Sequence, residues 1–128
     1  MSDSILIIEG EPSLSKELAS AFTEAGFAVD NVPDYPEALL KIDEFKPDMV
    51  IVDGLLPGRD GIEVCSQLRG TFGVPVVLLG EDSSDEMWER VMGAEVDLYL
   101  VKPFSYWELV ARVKAILRRY KMAAVQRG

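Results

Sequence analysis

Asp53 closes the apolar run Met49-Val50-Ile51-Val52, and Gly54-Leu55-Leu56-Pro57-Gly58 follows it. A continuous apolar run bounded by Gly and Pro predicts a strand buried on both faces, the kind found in parallel sheets. A carboxylate at the C-terminal end of such a strand stands where open α/β sheets place their ligands. One carboxylate does little alone. Two groups could gather round it: Glu9-Gly10-Glu11 after the first apolar run, and Lys102-Pro103-Phe104 after the last. What is missing bounds the chemistry of these acids and their lysine. The chain has no histidine, which removes Ser-His-Asp and Cys-His catalysis and most zinc sites at once.

Five short apolar runs alternate with helical patterns: Ile5–Ile8, Ala28–Val32, Met49–Val52, Val74–Leu79 and Leu98–Val101. Leu14, Leu18, Ala21, Phe22 and Ala25 mark one face of a first helix, opened by Pro12-Ser13 and stopped by Gly26. Asp34 with Glu37 predicts a capping box for a second helix bearing Leu39, Ile42 and Phe45, which Pro47 ends. A third helix, near Gly61–Arg69, turns Ile62, Val64, Cys65 and Leu68 inward. Ser83 with Glu86 predicts the cap of a short fourth helix holding Met87, Trp88, Val91 and Met92. Ser105 with Glu108 caps the last, whose apolar face is Leu109, Val110, Val113, Ile116 and Leu117. This is (βα)5, an α/β three-layer sandwich with a parallel sheet and right-handed crossovers. In the flavodoxin-like strand order 2-1-3-4-5, the crevice at the switch point is lined by Glu9, Gly10, Glu11 and Asp53, with Lys102 arriving from the fifth strand. Residues 1–120 are expected to form one domain. Lys121–Gly128 loses periodicity and reads as a frayed end or the start of a linker.

Composition agrees with a single globular domain: 128 residues, 48% hydrophobic and 27% charged. With 13 basic and 22 acidic residues the net charge is −9. That argues against this chain alone holding nucleic acid or an anionic membrane. No apolar run approaches the ~18 residues of a membrane span, and no signal peptide is evident. The single cysteine, Cys65, permits no internal disulfide and fits a reducing cytoplasm. On an apolar helix face it reads as a small core residue, not a redox sensor.

The motifs become specific when read together. Ile5-Leu6-Ile7-Ile8-Glu9-Gly10-Glu11-Pro12, the stretch Pro47 to Gly61 with its D-x-x-x-P-G-x-D-G block, Val74-Pro75-Val76-Val77 and Lys102-Pro103-Phe104 occur in order over nearly the whole chain. The chain resembles a response-regulator receiver domain. Its last helix, Glu108 to Arg119, resembles those of receivers that precede a winged-helix DNA-binding domain. The resemblance implies that Asp53 accepts a phosphoryl group from a histidine kinase and that Lys102 stabilises it. It further implies Mg²⁺ held by Asp53 and Glu9, and less directly by Glu11, and DNA contacted only through an attached output domain. A strand-end carboxylate is a reasonable in-line nucleophile on phosphorus, and a cation neutralises the charge that gathers on the phosphoryl oxygens.

The departures from that family are informative. Receivers end the first strand with two adjacent acids; here those positions hold Glu9 and Gly10. The second would bind the metal directly, so Mg²⁺ binding is expected to be weak or absent. The family's switch hydroxyl falls on Gly80, five residues after Pro75. Tyr99 fits the switch aromatic, three residues before Lys102, without its usual partner. Gly93-Ala94 lies about two residues further from the lysine than in receivers generally, which predicts an early end to the fourth helix. Asp97, Arg112 and Trp88 fall where winged-helix-type receivers form dimers, through helix 4, strand 5 and helix 5.

Plainer readings stand beside each of these. Asp53 could be a solvated turn acid, and Lys102 a structural partner for Asp53 or Glu9. Asp97 and Arg112 could be a solvated charge pair of little worth. Tyr99, Trp88, Tyr106 and Trp107 could be packing, or for the helical aromatics a partner surface. Two functions follow: an atypical phospho-receiver with a degenerate site, and a phosphorylation-independent interaction module. A flavodoxin-like or phosphatase-like enzyme lacks a Gly-rich phosphate loop or flavin signature, so no enzyme is expected.

Overall fold

The computed structural model describes residues 3–127. Ten elements alternate: β1 Ser4–Ile8, α1 Pro12–Glu24, β2 Ala28–Val32, α2 Tyr35–Phe45, β3 Met49–Asp53, α3 Gly61–Phe72, β4 Val76–Gly80, α4 Asp85–Met92, β5 Leu98–Val101 and α5 Tyr106–Arg127. The five strands are all parallel in the order β2-β1-β3-β4-β5. This is the architecture and strand order expected from the alternation of apolar runs.

The period of two along each strand divides the core into two layers. Leu6, Ile8, Val50, Val52, Val76 and Leu78 meet residues of α2 and α3 on one face of the sheet. Ile5, Ile7, Met49, Ile51, Val77 and Leu79 meet α1 and α5 on the other, against Leu18, Phe22, Leu109 and Val113. Coverage on both faces explains why β1, β3 and β4 read as unbroken apolar runs. β2 lies at the sheet edge and is only partly buried, and its sequence carries Asp30 and Asn31.

Several local expectations need correction. Glu11 is the N-cap of α1, its carboxylate accepting from the Ser13 and Leu14 amides at 3.1 and 2.6 Å. Pro12 occupies the first helical position, where no N–H is needed. Ser84, not Ser83, caps α4 by accepting from the Met87 amide, and Asp82 fixes Ser84 by accepting its N–H. In α2 the buried residues are Tyr35, Ala38 and Ile42, while Leu39 lies at the surface. α4 does end early, at Met92, but only Val91 of its eight residues is buried. Of its four apolar residues, Val91 and the partly buried Met87 pack against the core, while Met92 is 82% exposed. α5 runs on to Arg127 where loss of order was expected. Lys121, Met122, Ala123 and Ala124 are strong helix formers and need no buried face to continue it.

Candidate functional site

The C-terminal ends of β1, β3 and β5 bring Glu9, Asp53 and Lys102 together, as the strand order requires. Asp53 is 3% exposed. Its Oδ1 accepts from the Leu55 amide at 2.8 Å, and its Oδ2 from Lys102 Nζ at 2.9 Å. Asp53 is therefore not a solvated turn acid. Lys102 pairs with Asp53; among the described residues it forms no ion pair with Glu9. The Lys102 amide donates to the Gly80 carbonyl at 2.7 Å, tying the start of the lysine loop to the end of β4.

Glu9 is also buried, at 5% exposure. Its Oε2 accepts from the Glu11 amide at 3.1 Å. As a carboxylate, its Oε1 has no partner among the described residues. As a carboxyl it would be able to donate to the neighbouring Asp53 carboxylate. Two carboxyl groups can bond only when one keeps its proton. Burial first, and then this bond, raise the Glu9 pKa to about 8. For Asp53 burial works upwards too, but it is outweighed by hydrogen bonds from Glu9, the Leu55 amide and Lys102, so its pKa is lowered. Beside a single lysine the two carboxyls are thus pushed apart, Glu9 towards its protonated form and Asp53 towards its ionised form.

A hydrated Mg²⁺ takes one or two carboxylates and keeps several waters. Asp53 and the otherwise unpartnered Oε1 of Glu9 fit that minimal requirement. Glu11 does not join them. Its carboxylate is spent on the α1 cap, and the Leu14 and Ser13 amides lower its pKa. The place of the missing acid is Gly10, where an added Cβ would lie 3.3 Å from the Pro33 carbonyl oxygen. A side chain there needs only a small adjustment. Among the described residues no group of three acids, cysteines or histidines could hold a metal.

The loop after Asp53 is held by close approach. Gly58 has φ +68°, a left-handed turn that glycine adopts without strain. A Cβ on Gly61 would stand 2.8 Å from Gly54 Cα and 2.9 Å from Leu78 Cδ1. Asp60 caps α3 through the Ile62 amide and also pairs with Arg90 of α4. Gly61→Ala is accordingly expected to cost about 1–3 kcal/mol by overpacking. Urea denaturation measures that cost, and a neutral result would mean that the loop shifts freely.

Other expected positions are placed differently. Asp97 does not present its carboxylate to a partner. Oδ1 accepts from Arg69 at 2.8 Å and from the Tyr120 hydroxyl at 2.7 Å, and Oδ2 accepts from the Val76 amide at 2.8 Å. Arg112 is exposed and lies 3.5 Å from Glu108, one turn away. Trp88 is 39% exposed and meets Tyr99 edge to face. Cys65 is buried, and burial pushes its thiol up to about 12, which suits a core residue. Among the described residues no helix is long and apolar enough to cross a membrane.

Comparison with known proteins gives a consistent family. The profile of the response regulator receiver domain matches residues 5–114. Sensory transduction protein RegX3 of Mycobacterium tuberculosis is 42% identical over 118 residues, covering 91% of this chain and 51% of that protein. The alkaline phosphatase synthesis transcriptional regulatory protein PhoP of Bacillus subtilis is 42% identical over 127 residues, covering 97% of this chain and 52% of that protein. The chain thus spans about half the length of the curated relatives it matches. A two-component response regulator from Clostridium difficile superposes with TM-score 0.86 at 31% identity, covering 93% of this chain and 98% of that one. The BeF3-activated N-terminal receiver domain of Klebsiella pneumoniae RstA gives 0.83 at 30%, covering 91% and 99%. With its strand order, its buried strand-end aspartate and its late lysine, this chain belongs to the response regulator receiver domain family.

Proposed function

We propose that this chain is an atypical receiver whose phosphoryl acceptor is Asp53. It would receive the group from a histidine kinase and regulate transcription through an attached DNA-binding domain in the cytoplasm. The observation that carries the reading is the pairing of buried Asp53 with Lys102 Nζ at 2.9 Å. In the transfer, an Asp53 oxygen forms the new bond to phosphorus as the bond from phosphorus to the kinase histidine breaks. Lys102 supplies a fixed positive charge against the phosphoryl oxygens. Mg²⁺, when bound, would neutralise part of the remaining negative charge. Asp53 and Glu9 would hold it weakly, because Gly10 contributes no carboxylate and Glu11 is engaged in its cap.

Self-association through α4, β5 and α5 accords with their charge. The exposed surface of α4 carries Asp85, Glu86 and Glu89, and that of α5 carries Arg112, Lys114, Arg118 and Arg119. Trp107 and Met92 are each 82% exposed and would supply apolar contact. Asp97 already has partners within the chain in Arg69, the Val76 amide and Tyr120.

A second reading has its own support in Gly10 and Gly80: a module that works through protein contacts without phosphorylation. Titration of Mg²⁺ with beryllofluoride, followed by amide NMR shifts, separates the two. Saturable shifts centred on Asp53 and lost in Asp53→Ala support the phospho-receiver. Silence at high Mg²⁺ favours the second reading. Gly10→Asp should then tighten Mg²⁺ binding by more than about tenfold, since it restores a direct ligand.

A further inference from the structure

Resting on the receiver reading, we propose that Gly80 fixes Tyr99 in one inward position, so that the β4–α4 loop and α4 are set independently of the charge on Asp53. Tyr99 is 6% exposed, and its ring lies directly over Gly80. A Cβ on residue 80 would stand 2.4 Å from Tyr99 Oη, 2.7 Å from Cε1 and 2.9 Å from Cζ. No side chain other than hydrogen is compatible with this ring position. The glycine that removes a switch hydroxyl therefore also provides the volume that the aromatic ring fills.

From that position Tyr99 ties three elements together. It is rooted in β5, its hydroxyl donates to the Asp82 carbonyl at 2.7 Å, and its ring meets Trp88 of α4 edge to face at 4.9 Å. These contacts matter because α4 has few others. Val91 is its only buried residue, and Arg90 pairs with Asp60 across to the Asp53 loop. Nothing at position 80 can bond a phosphoryl oxygen and carry a change at Asp53 into the ring. The preset arrangement is thus a consequence of one missing Cβ, and α4 should stay in place whether Asp53 is free or modified.

The ring has somewhere to go if displaced. A cavity of about 610 Å³ beside it is lined by Gly54, Leu78, Gly80, Met87, Arg90 and Tyr99. Gly80→Ala should therefore evict the ring into this space without unfolding the sheet.

The test uses the whole chain carrying Trp107→Phe, so that Trp88 alone reports fluorescence. Gly80→Ala is expected to shift Trp88 emission to the red, to increase its quenching by acrylamide, and to remove the nuclear Overhauser contacts between the Tyr99 ring and residue 80. Unchanged emission and unchanged ring contacts would overturn the proposal. Should Gly80→Ala fail to fold, Tyr99→Leu removes the ring instead; Trp88 emission identical to that of the parent would again overturn it. Adding Mg²⁺ and beryllofluoride to the parent separates this inference from the function it rests on. Amide shifts at Asp53 with Trp88 unmoved support both. Shifts at Asp53 that also move Trp88 overturn the preset switch and leave the phospho-receiver standing. No shift anywhere counts against phosphorylation, while the Gly80→Ala arm still decides the switch.

Discussion

Glu9→Gln is expected to abolish a loss of stability that the parent protein suffers between about pH 4.5 and pH 8. The folded-state pKa of Glu9 is about 8 against an ordinary 4.5, first because it is buried and then because it bonds Asp53. Between those values the native protein keeps a proton that the unfolded chain has released. Stability then falls as pH rises, by up to about 1.4 kcal/mol per pH unit for one proton. The contribution is fully present below pH 4.5 and is lost as pH passes through 8. Asp53, shifted downwards, contributes in full above its ordinary value of 3.8 and loses that contribution only at lower pH, so it leaves this window untouched. Integrated over the window the effect reaches several kcal/mol, on the order of 10 °C in melting temperature for a domain of this size. Glutamine keeps the shape, and its amide can donate to Asp53 at every pH. Melting temperatures from pH 5 to 8 without divalent cations should therefore fall with pH for the parent and lie nearly flat for the variant. Parallel slopes would mean that Glu9 is already ionised beside Asp53.

The same proton explains why the site was only partly legible in the sequence. The unbroken apolar runs and their helical spacers identify the sheet, and the strand order brings Glu9, Asp53 and Lys102 to one end. Residue types and order suffice for that much, since each strand must bury both faces. Which carboxylate meets which partner depends on distances that spacing does not encode. Lys102 could have served Glu9 or Asp53 equally well on paper. Glu11 looked free because glutamate is not among the preferred helix caps; in the fold it closes the first turn of α1. Gly80 was recognisable as a lost hydroxyl. That its missing Cβ is the space occupied by Tyr99 follows only once β4 and β5 are placed side by side, with Leu78 opposite Tyr99.

These local facts bear on function in a common way. A missing acid at Gly10 leaves a proton where a receiver would more readily accept a cation. A missing side chain at Gly80 leaves a ring where a hydroxyl would respond to phosphate. On the proposed reading, both changes would hold the site and the α4 face in an arrangement that needs no ligand to complete it. Asp53 and Lys102 nevertheless stay paired at 2.9 Å, which is why the proposed reading keeps Asp53 as acceptor.

Asp97→Ala is expected to destabilise the domain by about 2–4 kcal/mol. Its carboxylate, 13% exposed, serves Arg69 of α3, the amide of Val76 beginning β4, and the Tyr120 hydroxyl of α5. Arg69 also lies over the Tyr120 ring, with Cζ 5.5 Å from the centroid. Burial first, then the bond to Asp97, pushes the Tyr120 hydroxyl up to about 12, so it remains a donor throughout the physiological range. Truncation would leave three donors without an acceptor at the end of the sheet opposite Asp53. Tyr120→Phe removes a single bond and should cost about 1 kcal/mol, while Arg112→Ala, which breaks only an exposed pair at 3.5 Å, should be nearly neutral. The damage from Asp97→Ala should also be local before it is global. Amides of α5 beyond Val113 should exchange faster with solvent, because the clamp ties that half of the helix to β5. Chemical denaturation and amide exchange together decide between this role and a place on a dimer face. A variant that lost self-association while keeping full stability would return Asp97 to the interface.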